Sequence, residues 1–382
     1  MKDNNITNKN KILNLGIVGG SISSAVGYAH FSAARMDNLW KIQAAVFSEN
    51  ESENKESAIA YGLDSSILYK NYKELIKFEK NNLDVLLILT PSPLHFEIIM
   101  ECFKNGIPVI SEKSLCMNVE EAKQIKEQCE SKNAFLSVVY NYSGYPMVRE
   151  ARELIKLGEI GEILHFQAEM PQETFLKIDE NGNNLKPQKW RLEDGTIPTL
   201  HLDLAVHIHQ LIYYITSLKP ERVIADQSSY SSFGVIDNTS CLTRYSNDVQ
   251  GQVWFSKTAV GHRNGLKISI YGSKGSIHWV QENPEQLEVF SSNGKKKIID
   301  RGSSLIIAGK NRYNRFKAGH PAGFIEAMAN LYYDFHSSLL SWRNERRNNS
   351  QEVFGVELAL EGLKWFEAMQ RSIESQKWED LD

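Results

Sequence analysis

From residue 11 to residue 140 the chain alternates apolar runs with helix-patterned segments at short spacing. KILNLGIVGG, IQAAVFS, LDVLLILTPSP, GIPVISEKS and AFLSVVYN read as strands. SSAVGYAHFSAARMD, ESAIAYGL, NYKELIKFEKN, HFEIIMECFKNG and NVEEAKQIKEQCESK read as the helices between them. Several of the strands are apolar without alternation, so both faces are buried. That pattern belongs to a parallel sheet covered by crossover helices, a doubly wound α/β fold. SENESENKES (48–57) reads as a polar loop within it.

The texture changes after PMVREARELIKLGEIG, a helix ending at glycine. EILHFQAEM, RVIADQSSYS, TSCLTRYS, VQGQVWFSKT, LKISIYGSKGSIHWV and LEVFSSNGKKKIID are strands joined by turn residues with no helices between them. They predict a large, mostly antiparallel open sheet in an α+β domain. Two helices, roughly 321–341 and 352–374, close the chain. A length of 382 residues agrees with two domains. The expected organisation is a flexible tail at 1–10, a doubly wound α/β domain at 11–140, and the α+β domain at 141–382.

A net charge of −4 gives no electrostatic reason to expect nucleic acid or an anionic membrane as partner. No run approaches the roughly 20 apolar residues of a membrane span. MKDNNITNKNK lacks the apolar core of an export signal, so a cytoplasmic location is expected. Cys102, Cys116, Cys129 and Cys241 show no CxxC spacing and suggest neither a disulfide framework nor a thiolate metal site.

LGIVGGSISSAVG stands where a Rossmann fold places its phosphate turn. Glycines there let backbone approach a pyrophosphate, and the following helix N-terminus favours the negative charge. Gly19 and Gly20 are in place, whereas Ser21 and Ser24 hold the second and third glycine positions counted from Gly19. Their hydroxyls are candidate phosphate donors; a turn needing glycine for conformation alone is the competing reading. Ser48, at the end of the second strand, holds the place of the acid that reads the adenosine ribose, with Glu49 one step late and no adjacent arginine. NAD against NADP therefore stays open.

Three stretches then fall in order: the glycine turn from Gly19 to Gly27, Thr90-Pro91-Ser92 with His95 in TPSPLHFE, and Glu112-Lys113-Ser114 in SEKSLCMNVEEA. With Asp203 and His207, YNYSGYPMVREARELIKLGEIGEI and GSKGSI, this set resembles the Gfo/Idh/MocA family, the glucose–fructose and inositol dehydrogenase-like oxidoreductases. Ser92 replaces an asparagine of the family pattern and Ser114 a proline. The resemblance implies NAD or NADP as cofactor and hydride transfer at a hydroxyl or keto carbon of a sugar, inositol or sugar derivative. It implies cofactor contacts from Thr90, Pro91, His95, Glu112 and Lys113, with Lys113 also polarising the reacting oxygen. Two other readings are a recycled, bound cofactor with net epimerisation or elimination, and a non-catalytic regulatory relative.

HLDLAVHIHQ (201–210) packs three histidines and an aspartate into one stretch. On a regular helix His207 and His209 lie about 200° apart, and His201 and His209 about 12 Å apart along the axis. They cannot then share one metal ion, and none is expected. Asp203 and His207 fall one turn apart on one face. The helix is apolar nearly all round, so a charged aspartate there needs a partner. His207 is a candidate proton acceptor supported by Asp203; a buried structural hydrogen bond is the alternative. Tyr142, Trp190 and Arg191 are candidate substrate contacts. The open sheet predicts a homodimer or homotetramer, because a second copy would cover its exposed face.

Overall fold

The computed structural model describes residues 11–346 and 350–381, so the tail expected at 1–10 lies outside the described residues. The chain forms two compact units. One comprises the chain up to Cys116, Glu120–Gly144 and Phe324–Ala359; the other comprises Met117–Val119, Tyr145–Gly323 and the chain from Leu360 onward.

In the first unit the predicted alternation is realised as β1 (Leu13–Gly19), α1 (Gly27–Met36), β2 (Trp40–Val46), α2 (Glu51–Ala60), α3 (Tyr72–Glu79), β3 (Val85–Leu89), α4 (His95–Lys104), β4 (Val109–Glu112), α5 (Val119–Lys132) and β5 (Leu136–Val139). The strands form one parallel sheet in the order β2-β1-β3-β4-β5. Every residue of β3, β4 and β5 is buried, as the unalternated apolar runs required. Chain order reverses direction beside β1, and in such sheets ligands bind at the carboxyl ends of the strands flanking that point.

Residues 48–57 are a correction. They are read above as a loop, but α2 begins at Glu51. Its polar residues mislead because they make its contacts: Asn50 caps the helix by accepting from the Glu53 N–H at 3.1 Å. Buried Asn54 accepts from the Phe47 N–H at 2.8 Å and donates to the Tyr69 carbonyl at 3.0 Å. The domain expected at 141–382 is also interrupted, because 324–359 belongs with the first unit. There the helix Phe324–Glu345 contributes Met328, Leu331, Tyr332, Phe335 and Leu339 to the same core as Leu13, Leu15, Val85 and Leu87.

The second unit contains the predicted large sheet. Its strands are β6 (Ile163–Pro171), β7 (Pro220–Ser228), β8 (Asn238–Tyr245), β9 (Val249–Ser256), β10 (Lys267–Gly272), β11 (Gly275–Val280), β12 (Gln286–Ser291), β13 (Lys296–Asp300) and β14 (Glu379–Asp380). The order is β13-β12-β11-β10-β6-β9-β8-β7-β14, antiparallel apart from the parallel β6–β9 pair. One face carries buried Phe166, Val253, Phe255, Ile268 and Ile270; Trp365, on the helix Val356–Ser375, donates from Nε1 to Thr243 Oγ1 at 3.1 Å. Among the described residues no helix is long and apolar enough to cross a membrane.

Candidate functional site

The glycine turn leaves β1 with φ of +86° at Gly19 and +77° at Gly20, conformations that favour glycine. A Cβ on Gly19 would lie 2.5 Å from the Leu89 carbonyl carbon and 2.6 Å from the Thr90 nitrogen. The close helix–strand approach that the third glycine of the motif usually permits falls to Gly27, whose Cβ would lie 2.3 Å from the Gly20 carbonyl oxygen. Ser24 instead lies just before α1, its Oγ accepting from the Gly27 N–H at 3.2 Å. Tyr61 closes the turn from behind by donating to the Gly20 carbonyl at 3.0 Å.

Ser21 and Ser48, expected at the phosphates and the ribose, are joined by a residue outside the sequence expectation. Glu53, in the first turn of α2, accepts from Ser21 Oγ at 2.8 Å, from Ser48 Oγ at 2.7 Å, and from Ser23 Oγ. These donors lower its proton affinity, Ser23 most, then Ser48 and Ser21. The missed signal was the helix itself: read as a loop, 48–57 gave no reason to fold Glu53 back over the turn.

Thr90 and Pro91 follow β3, and Thr90 Oγ1 is buried without a hydrogen-bond partner among the described residues. His95, fully buried at the start of α4, places Nε2 2.8 Å from the Thr90 carbonyl oxygen and Nδ1 2.8 Å from the Ser114 carbonyl oxygen. It thus ties the segment after β3 to the segment after β4. Burial pushes its proton affinity down, and a neutral ring donates to only one carbonyl at a time.

Glu112, at the end of β4, is 8% exposed. One carboxylate oxygen lies 2.8 Å from His30 Nε2, and the other accepts from the Lys113 N–H at 3.0 Å. His30 Nδ1 is 2.8 Å from the Tyr332 hydroxyl. Burial, then the Glu112 charge, raises the proton affinity of that phenol well above its ordinary value. The buried chain Tyr332–His30–Glu112 therefore holds the main chain of Lys113, a half-buried residue at the carboxyl end of a central strand. The Lys113–Ser114 peptide is cis. A glycine cradle, an orphaned Thr90 hydroxyl and Lys113 gathered in one unit fit a bound dinucleotide.

In the second unit, His201–Ala205 is a turn of π-helix, the Val206 N–H donating to the His201 carbonyl, and a regular helix follows at Val206–Thr216. Such bulges are frequent at functional sites. The regular 3.6-residue period used above thus fails across Asp203. The three histidines nevertheless enter different surroundings. His201 lies between Phe255 and Phe366, with ring centroids 5.0 and 5.9 Å away, and burial lowers its pKa to about 3. His209 reaches Glu361 at 3.2 Å beside Trp365. His207 is 7% exposed.

Asp203 has the ionic partners its burial demanded. Arg191 grips both carboxylate oxygens, Nε to Oδ2 at 2.8 Å and Nη2 to Oδ1 at 3.2 Å. Lys257 Nζ donates to Oδ2 at 2.6 Å from a side chain only 2% exposed, and lies 4.9 Å from the Phe175 ring centre. Trp190 stacks under the Arg191 guanidinium at 4.6 Å. Lys257 was missed, although Val253, Phe255 and Lys257 share the inward parity of β9 and its continuation. Tyr142, 5% exposed, belongs to the first unit.

Residues 13–140 match the family model described as the oxidoreductase family, NAD-binding Rossmann fold; residues 148–278 match that of the GFO/IDH/MocA C-terminal domain. The oxidoreductase YfiI of Bacillus subtilis (strain 168) is 29% identical over 373 residues, 95% of each chain. The levoglucosan dehydrogenase of Pseudarthrobacter phenanthrenivorans is 25% identical over 306 residues, covering 72% of this chain and 76% of its own. An inositol dehydrogenase homolog from Azotobacter vinelandii, solved with NADH and myo-inositol, superposes with a TM-score of 0.87 at 26% identity, covering 97% of this chain and 98% of its own.

Proposed function

The chain belongs to the Gfo/Idh/MocA family of NAD-binding oxidoreductases, and from that premise we propose that it transfers a hydride at a hydroxyl or keto carbon of a sugar, an inositol or a sugar derivative. The observation carrying this reading is the cradle of Gly19, Gly20 and Gly27 in the unit where the Glu112–His30–Tyr332 chain holds Lys113 at a strand end. The inositol and levoglucosan relatives support a cyclic polyol or sugar as substrate class.

A bound nicotinamide cofactor supplies the hydride acceptor or donor. Gly19, Gly20 and Ser21 would hold its phosphates, and Thr90, Pro91 and Lys113 its nicotinamide half. Lys113 polarises the reacting oxygen and stabilises negative charge as it develops there. His207 takes the hydroxyl proton during oxidation and returns it during reduction. Asp203, fixed by Arg191 and Lys257, positions substrate hydroxyls, with Trp190 and Tyr142 as further contacts. We also propose that the outer face of the large sheet, where Leu164 and Leu242 are exposed, is covered by a second copy. Light scattering at micromolar concentration should give a dimer or tetramer; a monomer opposes it.

The test is reduction of NAD or NADP by the purified protein against inositols, levoglucosan and aldoses. Lys113→Ala and His207→Ala should each lower kcat by about 100-fold or more, with NADH still bound. Turnover by both variants at the wild-type rate would refute the assignment.

A further inference from the structure

We propose that Glu53 binds the adenosine ribose hydroxyls of the dinucleotide and thereby selects NAD over NADP. In doubly wound folds this choice is made at the carboxyl end of the second strand, where a carboxylate accepts from the ribose 2′-hydroxyl and repels a 2′-phosphate. Here Ser48 holds that end, and a serine hydroxyl cannot repel a phosphate. The carboxylate arrives from the next helix instead.

One Glu53 oxygen takes the Ser48 hydroxyl at 2.7 Å; the other takes Ser21 at 2.8 Å and also Ser23. A single anionic group thus spans the end of β2 and the phosphate turn, the two places between which an adenosine ribose runs. The helix is anchored for the task. Ser57 Oγ donates to the Glu53 carbonyl at 2.6 Å and accepts from the Ile22 N–H of the turn at 3.1 Å, and Asn50 caps the Glu53 N–H at 3.1 Å.

Glu53 is half-buried, so its carboxylate stays open to a ligand. The serine donors are neutral and exchangeable: a ribose diol can take their place without leaving a buried charge unpaired. A 2′-phosphate offers acceptors where the carboxylate needs donors, and adds like charge beside it. Lys55, on the same helix, pairs with Glu51 at 2.6 Å.

The inference rests on the dinucleotide reading of the first unit, and the experiment separates the two. Isothermal titration of the full-length protein with NADH and with NADPH gives the ratio of their dissociation constants. Wild type should hold NADH at least about tenfold more tightly than NADPH. Glu53→Gln, which keeps the size and removes the charge, should cut that preference by about tenfold through weaker NADH and tighter NADPH binding. Glu53→Arg should reverse the order. Because both ligands are titrated into the same preparation, an unfolded fraction lowers the stoichiometry and leaves the ratio intact. Equal wild-type affinities, or a ratio unmoved in Glu53→Gln, overturn the assignment while the dinucleotide site stands. Binding of neither ligand by wild type overturns both.

Discussion

Replacing Asp203 by asparagine should destabilise the second unit more than replacing Lys257 by methionine, although the two side chains share one contact. The asymmetry follows from burial. Lys257 is 2% exposed and Arg191 22%, so Arg191 turns to water when the carboxylate is lost and Lys257 cannot. Breaking a buried pair from the acidic side costs about 3–5 kcal/mol, chiefly because the buried cation loses this carboxylate. In Lys257→Met the charge is removed along with the bond, and Arg191 continues to hold both oxygens of Asp203. The loss is then that of one charge-assisted hydrogen bond, about 1.5–3 kcal/mol. The double variant removes both charges of the pair, so it should be about 2 kcal/mol more stable than the summed single losses predict. Urea unfolding followed by tryptophan fluorescence reads this chiefly through Trp190, Trp254, Trp279, Trp365 and Trp378 of the second unit, alongside Trp40 and Trp342 of the first. In calorimetry Asp203→Asn should melt about 10 °C below wild type. Additive losses, or an Asp203→Asn protein no less stable than Lys257→Met, would refute the view that Lys257 depends on this carboxylate.

Gly27→Ala places a methyl 2.3 Å from the Gly20 carbonyl oxygen, backbone that cannot swing away; about 1–3 kcal/mol of stability should go, and NADH titration should show weaker binding because the turn itself must shift. His201 binds its proton at about 3 when folded, against an ordinary 6.5. The unfolded chain therefore holds more protons between those values, and stability falls as pH drops from about 6.5 towards about 3. At pH 5 this residue accounts for about 2 kcal/mol of acid destabilisation. His201→Leu should flatten urea-unfolding stability between pH 7 and 5 by that amount; an unchanged acid limb would show that the ring is not kept neutral.

The sheets were legible because burial on one or both faces writes itself into a strand's own residues. The unalternated LDVLLIL gave β3, and successive strands joined by turn residues without intervening helices gave the antiparallel sheet. Where a helix packs is not written that way. The apolar side of 324–345 looks the same whether it covers its sequence neighbours or returns to the first unit, as Met328 and Tyr332 do. The stretch 48–57 failed for the opposite reason. Asn54 and Ser57 are buried because they complete backbone hydrogen bonds of other segments, and no local pattern reveals a polar residue with such a partner.

The same limit explains which parts of the candidate site were readable. Lys113, Asp203 and His207 stood out through motif order, and Asp203 through the cost of burying its charge. The groups that hold Lys113 and the buried cation that pairs with Asp203 were missed, because they lie far away in sequence. His30 is 82 residues from Glu112, Tyr332 is 302 from His30, and Lys257 is 54 from Asp203. The separation is useful mechanically. A lysine after a short strand has four rotatable bonds in its side chain and a backbone no longer held by the sheet; anchoring its main chain through a buried carboxylate, imidazole and phenol removes the backbone part of that freedom before substrate arrives. The cost of ordering is met in folding, so less of the binding energy is spent on placing the cation.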